Sequence, residues 1–329
     1  MGSDNGFSNY TALVTGGAGA IGSRLTRRLL EHGVSKILVV DDLSSGFDWL
    51  VPDDSRVTFD RKNVNDFFNE SPEFDVDVVF HLAAFFANQN SVDHPEEDLM
   101  ANGMGTLKAL KWSAEHEVKR FVYASAGCSI AGHDVEGPIR EDMPVSLWLD
   151  TPYQITKALG EFYCNYFQKG VNTVRCRFFN SYGPGEVPGT YRNVIPNFVW
   201  HAIHNQPLII TGTGNETRDF IFVDDLVDGL VASSLRLQAN GEAFNFGTGI
   251  QSKVIDLAHL IIDKTNSKSE ITFTSRRAWD NSVVRQADLA KSRSVLSFDP
   301  QIRLSDGLDR TVEWFRENYD QIKYSTTFR

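Results

Sequence analysis

Three cysteines in 329 residues, Cys128, Cys164 and Cys176, give neither the paired count of a disulfide framework nor the C-x-x-C spacing of a metal site, so no metal is expected. Cys164 and Cys176 are expected as core thiols. Long apolar stretches are absent as well. With no twenty-residue hydrophobic run and no basic-then-apolar leader, the chain predicts neither a spanning helix nor a secretory signal, and a cytoplasmic location is expected. Positive charge is scarce: Lys and Arg number 32 against 43 Asp and Glu, a formal net charge of -11. No basic patch offsets this, which argues against a nucleic acid polymer or a membrane surface as partner. Internal repeats and low-complexity linkers are missing too. What is present, at 41% hydrophobic residues, is enough apolar side chain to bury a substantial core in one large or two modest domains.

The order of elements points to an α/β fold. Tyr10-Thr-Ala-Leu-Val14 reads as a strand, followed by a glycine turn and a helix to about His32; the next strand, Lys36-Ile-Leu-Val-Val40, ends at Asp41-Asp42. Further strands are expected at 56–59, 76–80, 119–123 and 172–176, with helices at 95–117 and 152–168 between them. This alternation predicts a Rossmann-like, mostly parallel sheet with helices on both faces. Beyond Phe178 the pattern loosens. Turns are expected at Asn180–Gly185 and Gly212–Gly214, helices at 194–203, 226–237 and around 308–315, and a strand at Phe244–Phe246 that returns to the main sheet. The expected division is a dinucleotide-binding domain over 1–178 with return segments near 208–225 and 242–250. Residues 179–207, 226–241 and 251–329 then form a smaller, interleaved substrate-binding region.

Gly16, Gly19 and Gly22 form G-x-x-G-x-x-G at the first strand-to-helix junction. Glycine permits the tight turn and the close approach of backbone to a pyrophosphate, and the helix N-terminus offers free N–H donors. About twenty residues on, Asp41 or Asp42 can accept from both hydroxyls of an adenosine ribose, and a carboxylate there would repel a 2′-phosphate, which favours NAD over NADP. Asn63 is placed either to contact adenine or to close a turn. Tyr153 and Lys157 stand four apart on an expected helix, one turn above the other. An ammonium beside a phenol lowers the phenol from its ordinary pKa of about 10, making Tyr153 a base or acid with Lys157 as its electrostatic partner.

These features, in order, resemble the extended short-chain dehydrogenase/reductase family, and within it the sugar-nucleotide epimerase/dehydratase group, closest in pattern to UDP-sugar 4-epimerases. The resemblance runs from Gly16 to about Lys291. It rests on the glycine loop, Asp41-Asp-Leu-Ser-Ser-Gly46, His81-Leu-Ala-Ala84, Asn102-Gly-Met-Gly-Thr106, the Tyr153/Lys157 pair, Arg177-Phe-Phe-Asn-Ser-Tyr-Gly-Pro184, Arg218-Asp-Phe220 with Val223-Asp-Asp225, and Asn245-Phe-Gly247. It implies NAD held by Gly16, Gly19, Ala20, Ile21, Gly22, Asp41, Asp42, Asn63, Val64, Leu82, Ala83, Ala84, Asn102, Tyr153 and Lys157. It implies a nucleotide-diphosphate sugar held by Asn180, Val194, Arg218 and Arg285, and a homodimer formed through helices 95–117 and 152–169.

The loop after the strand at 119–123 departs from that pattern. Where the family places an active-site Ser or Thr before a Tyr-Gly pair, this chain has Tyr123-Ala-Ser-Ala-Gly-Cys-Ser-Ile-Ala-Gly132, with Ala126 or Gly127 at the hydroxyl position according to register. Ser125 is the first candidate for the missing hydroxyl and Ser129 the second. Cys128 resembles the catalytic cysteine of sugar-nucleotide 3,5-epimerases, with loop packing as its other role. The loop carries neither the Asp-Glu pair of 4,6-dehydratases nor the Glu of UDP-glucuronate decarboxylases. The resemblance thus implies C4 epimerisation of a UDP-hexose or UDP-hexuronate through a transient 4-keto sugar. Dehydratase, decarboxylase and 3,5-epimerase chemistry are the near alternatives, and a non-catalytic NAD sensor or scaffold the distant one.

Overall fold

The computed structural model describes residues 7, 9–127, 131–132, 135, 137–281 and 284–326. Seven strands form one sheet: β1 (Thr11–Thr15), β2 (Lys36–Asp41), β3 (Val57–Arg61), β4 (Val78–His81), β5 (Arg120–Ala126), β6 (Thr173–Phe178) and β11 (Ala243–Phe246). Their spatial order is β11-β6-β5-β4-β1-β2-β3, and every pairing is parallel. Because helices cover both faces, the central strands β1, β2 and β4 read as near-continuous apolar runs rather than alternating ones, whereas the edge strand β3 is less buried.

Alternate residues of each strand enter opposite layers of the core. Ala12 and Val14 pack with Leu25 and Leu29 of helix α1 (Ala20–Glu31), whereas Leu13 packs on the side of Leu110 and Trp112. The second face is covered by α2 (Val64–Asn69), α5 (Gly105–Glu115) and α6 (Pro152–Phe167). On the first face α8 (Val223–Leu235) lies against α1, β5 and β6, held at its exposed edge by ion pairs from Arg24 to Asp224 and from Arg28 to Asp228.

The helix expected at 95–117 is real but irregular. Short helices α3 (Asn88–Asp93) and α4 (Pro95–Asp98) precede a π-helical stretch, Leu99–Met104, which runs directly into α5. Wider winding of this kind is frequent at functional sites. Here it forms the segment in which Asn102 turns inward onto Asp98 (2.7 Å).

Small sheets organise the rest. Asn180–Tyr182, expected as a turn, is instead strand β7, parallel to β10 (Phe220–Phe222), with Asn180 opposite Phe220. The Gly-Pro-Gly that suggested a turn follows immediately, at 183–185, while Ser181 lies within the strand. Strand β8 (Leu208–Thr211) pairs with β13 (Ile271–Thr274), and β9 (Thr217–Arg218) with β12 (Ser252–Lys253). Helix α7 (Val194–Ile203) spans the expected residues, and α9 (Val254–Thr265), α10 (Ala290–Leu296), α11 (Leu304–Glu317) and α12 (Tyr319–Ser325) follow α8. Among the described residues no helix is long and apolar enough to cross a membrane, and no cluster of His, Cys, Asp or Glu could hold a metal ion. Cys164 and Cys176 are buried free thiols, and burial pushes Cys176 up to about 12, far from a reactive thiolate.

Candidate active site

The chain passes from β1 outward to β2 and β3, then returns to the other side of β1 as β4. In open parallel sheets such a reversal leaves a crevice at the carboxyl ends of the strands. A cavity of about 550 Å³ occupies it, lined from the loop after β1 to helix α6. Gly16, Gly19, Ala20, Ile21 and Gly22 all line it. Gly16 has φ +71°, and a Cβ there would lie 2.7 Å from the Ala83 nitrogen; a Cβ on Gly22 would overlap the Gly16 carbonyl. Gly16 therefore lets the loops after β1 and β4 lie back to back, and Gly22 lets α1 pack onto the glycine loop. Helix α1 starts at Ala20 without a side-chain cap and without an acid in its first turn. Its first N–H groups are thus left for an anion, and the cradle fits a dinucleotide pyrophosphate.

Asp41 and Asp42, at the end of β2, have different partners. Asp41 accepts from the N–H of Ala18 (3.0 Å) on one oxygen and of Leu43 (2.9 Å) on the other, which leaves each oxygen a lone pair for a ribose hydroxyl. Burial raises its carboxyl above the ordinary value, against the pull of those two backbone donors. Asp42 accepts from Ser44 N–H and from the Asn63 amide, both at 2.9 Å. Asn63 also caps α2 by accepting from Asn65 N–H, so its side chain closes the turn while Asn63 and Val64 still line the cavity. Leu82, Ala83 and Ala84 form the neighbouring wall.

At the other end stand Tyr153 and Lys157, both buried and both lining the cavity. Thr151 caps α6 by accepting from Gln154 N–H, Pro152 takes the first helical position, and Ser91 accepts from Tyr153 N–H at 3.0 Å. Lys157 donates to the Ala124 carbonyl at 2.9 Å, and its Nζ lies 5.6 Å from the Tyr153 ring centre. Burial lowers the Lys157 ammonium to about 8, with Asp98 pulling the other way. Phe86 meets the Tyr153 ring edge-on, with centroids 6.0 Å apart, and shields one side of it.

Asn102 does not line the cavity. It is buried behind it, where its amide accepts from Phe85 N–H at 2.8 Å and donates to Phe85 carbonyl at 3.3 Å, fixing the wall at 85–86 from the rear. Asp98, which accepts from Asn102 and Thr156, joins that support to α6. Ser125 does line the cavity, but its hydroxyl donates to Glu161 at 2.6 Å. Glu161 in turn receives Arg177 through Nε (2.9 Å) and Nη2 (2.8 Å), a buried bidentate pair. Cys128 and Ser129 lie outside the described residues.

Across the cavity Asn180 leaves its amide oxygen buried without a partner among the described residues, a group suited to a bound donor. Arg218 and Arg285, distant in sequence, converge on one carboxylate: Asp280 lies 3.2 Å from Arg218 and 3.5 Å from Arg285. Two guanidiniums around one anion form a pattern that a diphosphate also satisfies. Flanking Asp280, Trp279 donates to Gln89 and Asn281 to Asp150, each at 2.8 Å. Val194 opens α7 and packs on the core, while its neighbour Asn193 faces the cavity. Phe86, Glu186, Arg192, Asn193 and Asp280 went unread in the sequence. The polar run Tyr191-Arg-Asn193 ahead of Val194 was the available signal for two of them.

Such a crevice, with its pyrophosphate cradle, ribose-facing carboxylate and phenol-ammonium pair, defines a nicotinamide-dinucleotide enzyme of the extended short-chain dehydrogenase/reductase kind. Residues 12–247 match the NAD dependent epimerase/dehydratase family. The chain belongs to that family, and NAD is its cofactor. It is 33% identical over 312 residues to a UDP-glucose 4-epimerase of Mycolicibacterium smegmatis, covering 92% of this chain and 98% of the relative. An epimerase from Methanothermobacter thermautotrophicus superposes with a TM-score of 0.94 at 44% identity, over 99% of this chain and 98% of the other. The Bordetella bronchiseptica enzyme WbmF, solved with NAD+ and UDP, superposes at 0.85 with 36% identity, over 98% and 96%.

Proposed function

We propose that the protein epimerises C4 of a nucleotide-diphosphate sugar, a UDP-hexose or UDP-hexuronate, through a transient 4-keto sugar. Bound NAD supplies a reversible hydride acceptor beside the sugar carbon. Tyr153 removes the C4 hydroxyl proton and later returns one. Lys157, anchored on the Ala124 carbonyl, holds positive charge next to the phenol and favours its ionised form. Asn180 and the Arg218/Arg285 pair receive the diphosphate, with Asp280 released from the two guanidiniums. Holding the substrate by its nucleotide leaves the sugar able to turn and present its other face.

One observation carries the choice of epimerisation: from Ala124 to Gly132 the chain has no carboxylate, so the acid or base that elimination or decarboxylation would draw from this loop is missing. Similarity to a UDP-glucose 4-epimerase and to a UDP-bound enzyme supports the same reading. Incubation with a panel of sugar nucleotides is expected to interconvert C4 epimers without net NADH. Release of carbon dioxide, a stable 4-keto-6-deoxy sugar, or no turnover across the panel would overturn it. Tyr153→Phe should keep NAD binding and lower kcat by about 100-fold or more, within the usual range for a lost acid-base group.

The dimer belongs to the same proposal. Ile155, Phe162 and Tyr166 lie along one exposed stripe of α6, and Leu99 and Met104 are exposed on the adjoining π-helical stretch. Gly103 packs against Leu159 between them, so the two segments present one apolar face. A face this apolar suits a symmetric contact with a second copy.

A further inference from the structure

The cationic side chains lining the cavity are Lys62, Lys157, Arg192 and Arg285. Lys62 is paired with Glu70 and Arg285 with Asp280, and Lys157 serves the Tyr153 end. Arg192 is different. It is partly buried and forms no ion pair among the described residues; its guanidinium donates to the backbone carbonyl of Ser45. Its acidic neighbour, Glu186, is engaged by the Asn193 amide at 2.6 Å. A partly buried guanidinium held by one backbone carbonyl, with its acidic neighbour already engaged by an amide, is a group suited to an anionic ligand.

Its position identifies which anion. Arg192 belongs to the strap that follows β7. Near its start Gly185, at φ +95°, rests on the first residue of α1: a Cβ there would lie 3.1 Å from Ala20 Cα. Near its end Tyr191 donates to Asp93 at 3.0 Å, while Arg192 reaches Ser45 on the opposite side. The Ser45 loop is itself tied to the glycine loop, because Phe47 N–H donates to the Ala18 carbonyl at 2.9 Å. The strap therefore bridges the crevice over the N-terminus of α1, where backbone N–H groups supply the phosphate cradle.

We infer that Arg192 closes over the pyrophosphate of the dinucleotide from the face opposite the glycine loop, making the strap at 185–193 a cofactor clamp. The inference concerns NAD alone and holds whichever sugar reaction the site performs. Charge-assisted contacts of this kind correspond to about 10- to 100-fold in affinity.

The test is calorimetric titration of the full-length chain and of its Arg192→Gln and Arg192→Lys variants with NAD, ADP-ribose, adenosine and UDP. Expected for Arg192→Gln is a loss of about 10- to 100-fold for NAD and ADP-ribose, with adenosine and UDP unchanged. Equal weakening of adenosine would reduce Arg192 to a brace for the Ser45 loop and overturn the inference. So would unchanged NAD affinity, or a loss confined to UDP, which would place the residue on the substrate. Should Arg192→Gln fail to fold, Arg192→Lys decides. Keeping the charge without the fork, it should weaken NAD and ADP-ribose several-fold and leave adenosine alone, and any other pattern refutes the clamp.

Discussion

Acid should destabilise this protein measurably through one residue, His81. The imidazole is 1% exposed, with Nδ1 2.9 Å from the Thr15 hydroxyl and Nε2 3.1 Å from that of Thr106. Burial, and secondarily the Lys157 charge, lower it from 6.5 to about 3. Between those values the unfolded chain binds a proton at this position and the folded one does not, so stability rises with pH in that window. The contribution is complete above pH 6.5 and is lost as the pH falls toward 3. From pH 7.5 to 4.5 the loss is roughly 2.5 kcal/mol, at about 1.4 kcal/mol per unit below the unfolded pKa. Since pH 4.5 still lies above the folded value, that figure is set by the unfolded chain. The assay is equilibrium urea unfolding of the wild type and His81→Gln at both pH values, without NAD, followed by tryptophan fluorescence. The variant starts less stable, but the remaining titrations cancel in the comparison. The wild type should therefore lose about 2.5 kcal/mol more than the variant on acidification. Equal losses would refute the reasoning.

Gly22→Ala, which forces a methyl onto the Gly16 carbonyl, should destabilise the chain by about 1–3 kcal/mol and weaken NAD binding; urea unfolding and NAD titration check both. Because burial lowers Lys157 to about 8, its ammonium discharges as pH rises through that value, so kcat/KM should fall on an alkaline limb near pH 8. A profile flat to pH 10 would exclude Lys157 as the partner of Tyr153. Phe162→Glu places a charge in the exposed stripe of α6 and should abolish the proposed dimer in sedimentation experiments, with the far-ultraviolet spectrum unchanged.

Much of the site was legible because its parts are local. The glycine loop, the aspartates ending β2 and the Tyr153/Lys157 spacing each depend on a few consecutive residues, and the buried parallel strands announce themselves as apolar runs. What the sequence concealed depends on distance. Asn180–Tyr182 becomes a strand only because Phe220–Phe222 arrives beside it, forty residues on. Arg218 and Arg285 were each visible, whereas their meeting on Asp280 is a tertiary event. Asn102 and Ser125 carry the polarity of ligand-binding residues, but the fold directs Asn102 to the Phe85 backbone and Ser125 to Glu161. Side-chain chemistry gives the capacity to bind, and only the packed neighbours decide what is bound.

The phenol of Tyr123 occupies the space where a side chain at Gly160 would stand, and its hydroxyl donates to the Lys157 carbonyl at 3.3 Å. Helix α6 is thereby drawn against the sheet at one contact, and Tyr153 and Lys157 ride on it as a rigid lever. A methyl added at that fulcrum would tilt both together, slowing the chemistry without altering any atom that meets a ligand.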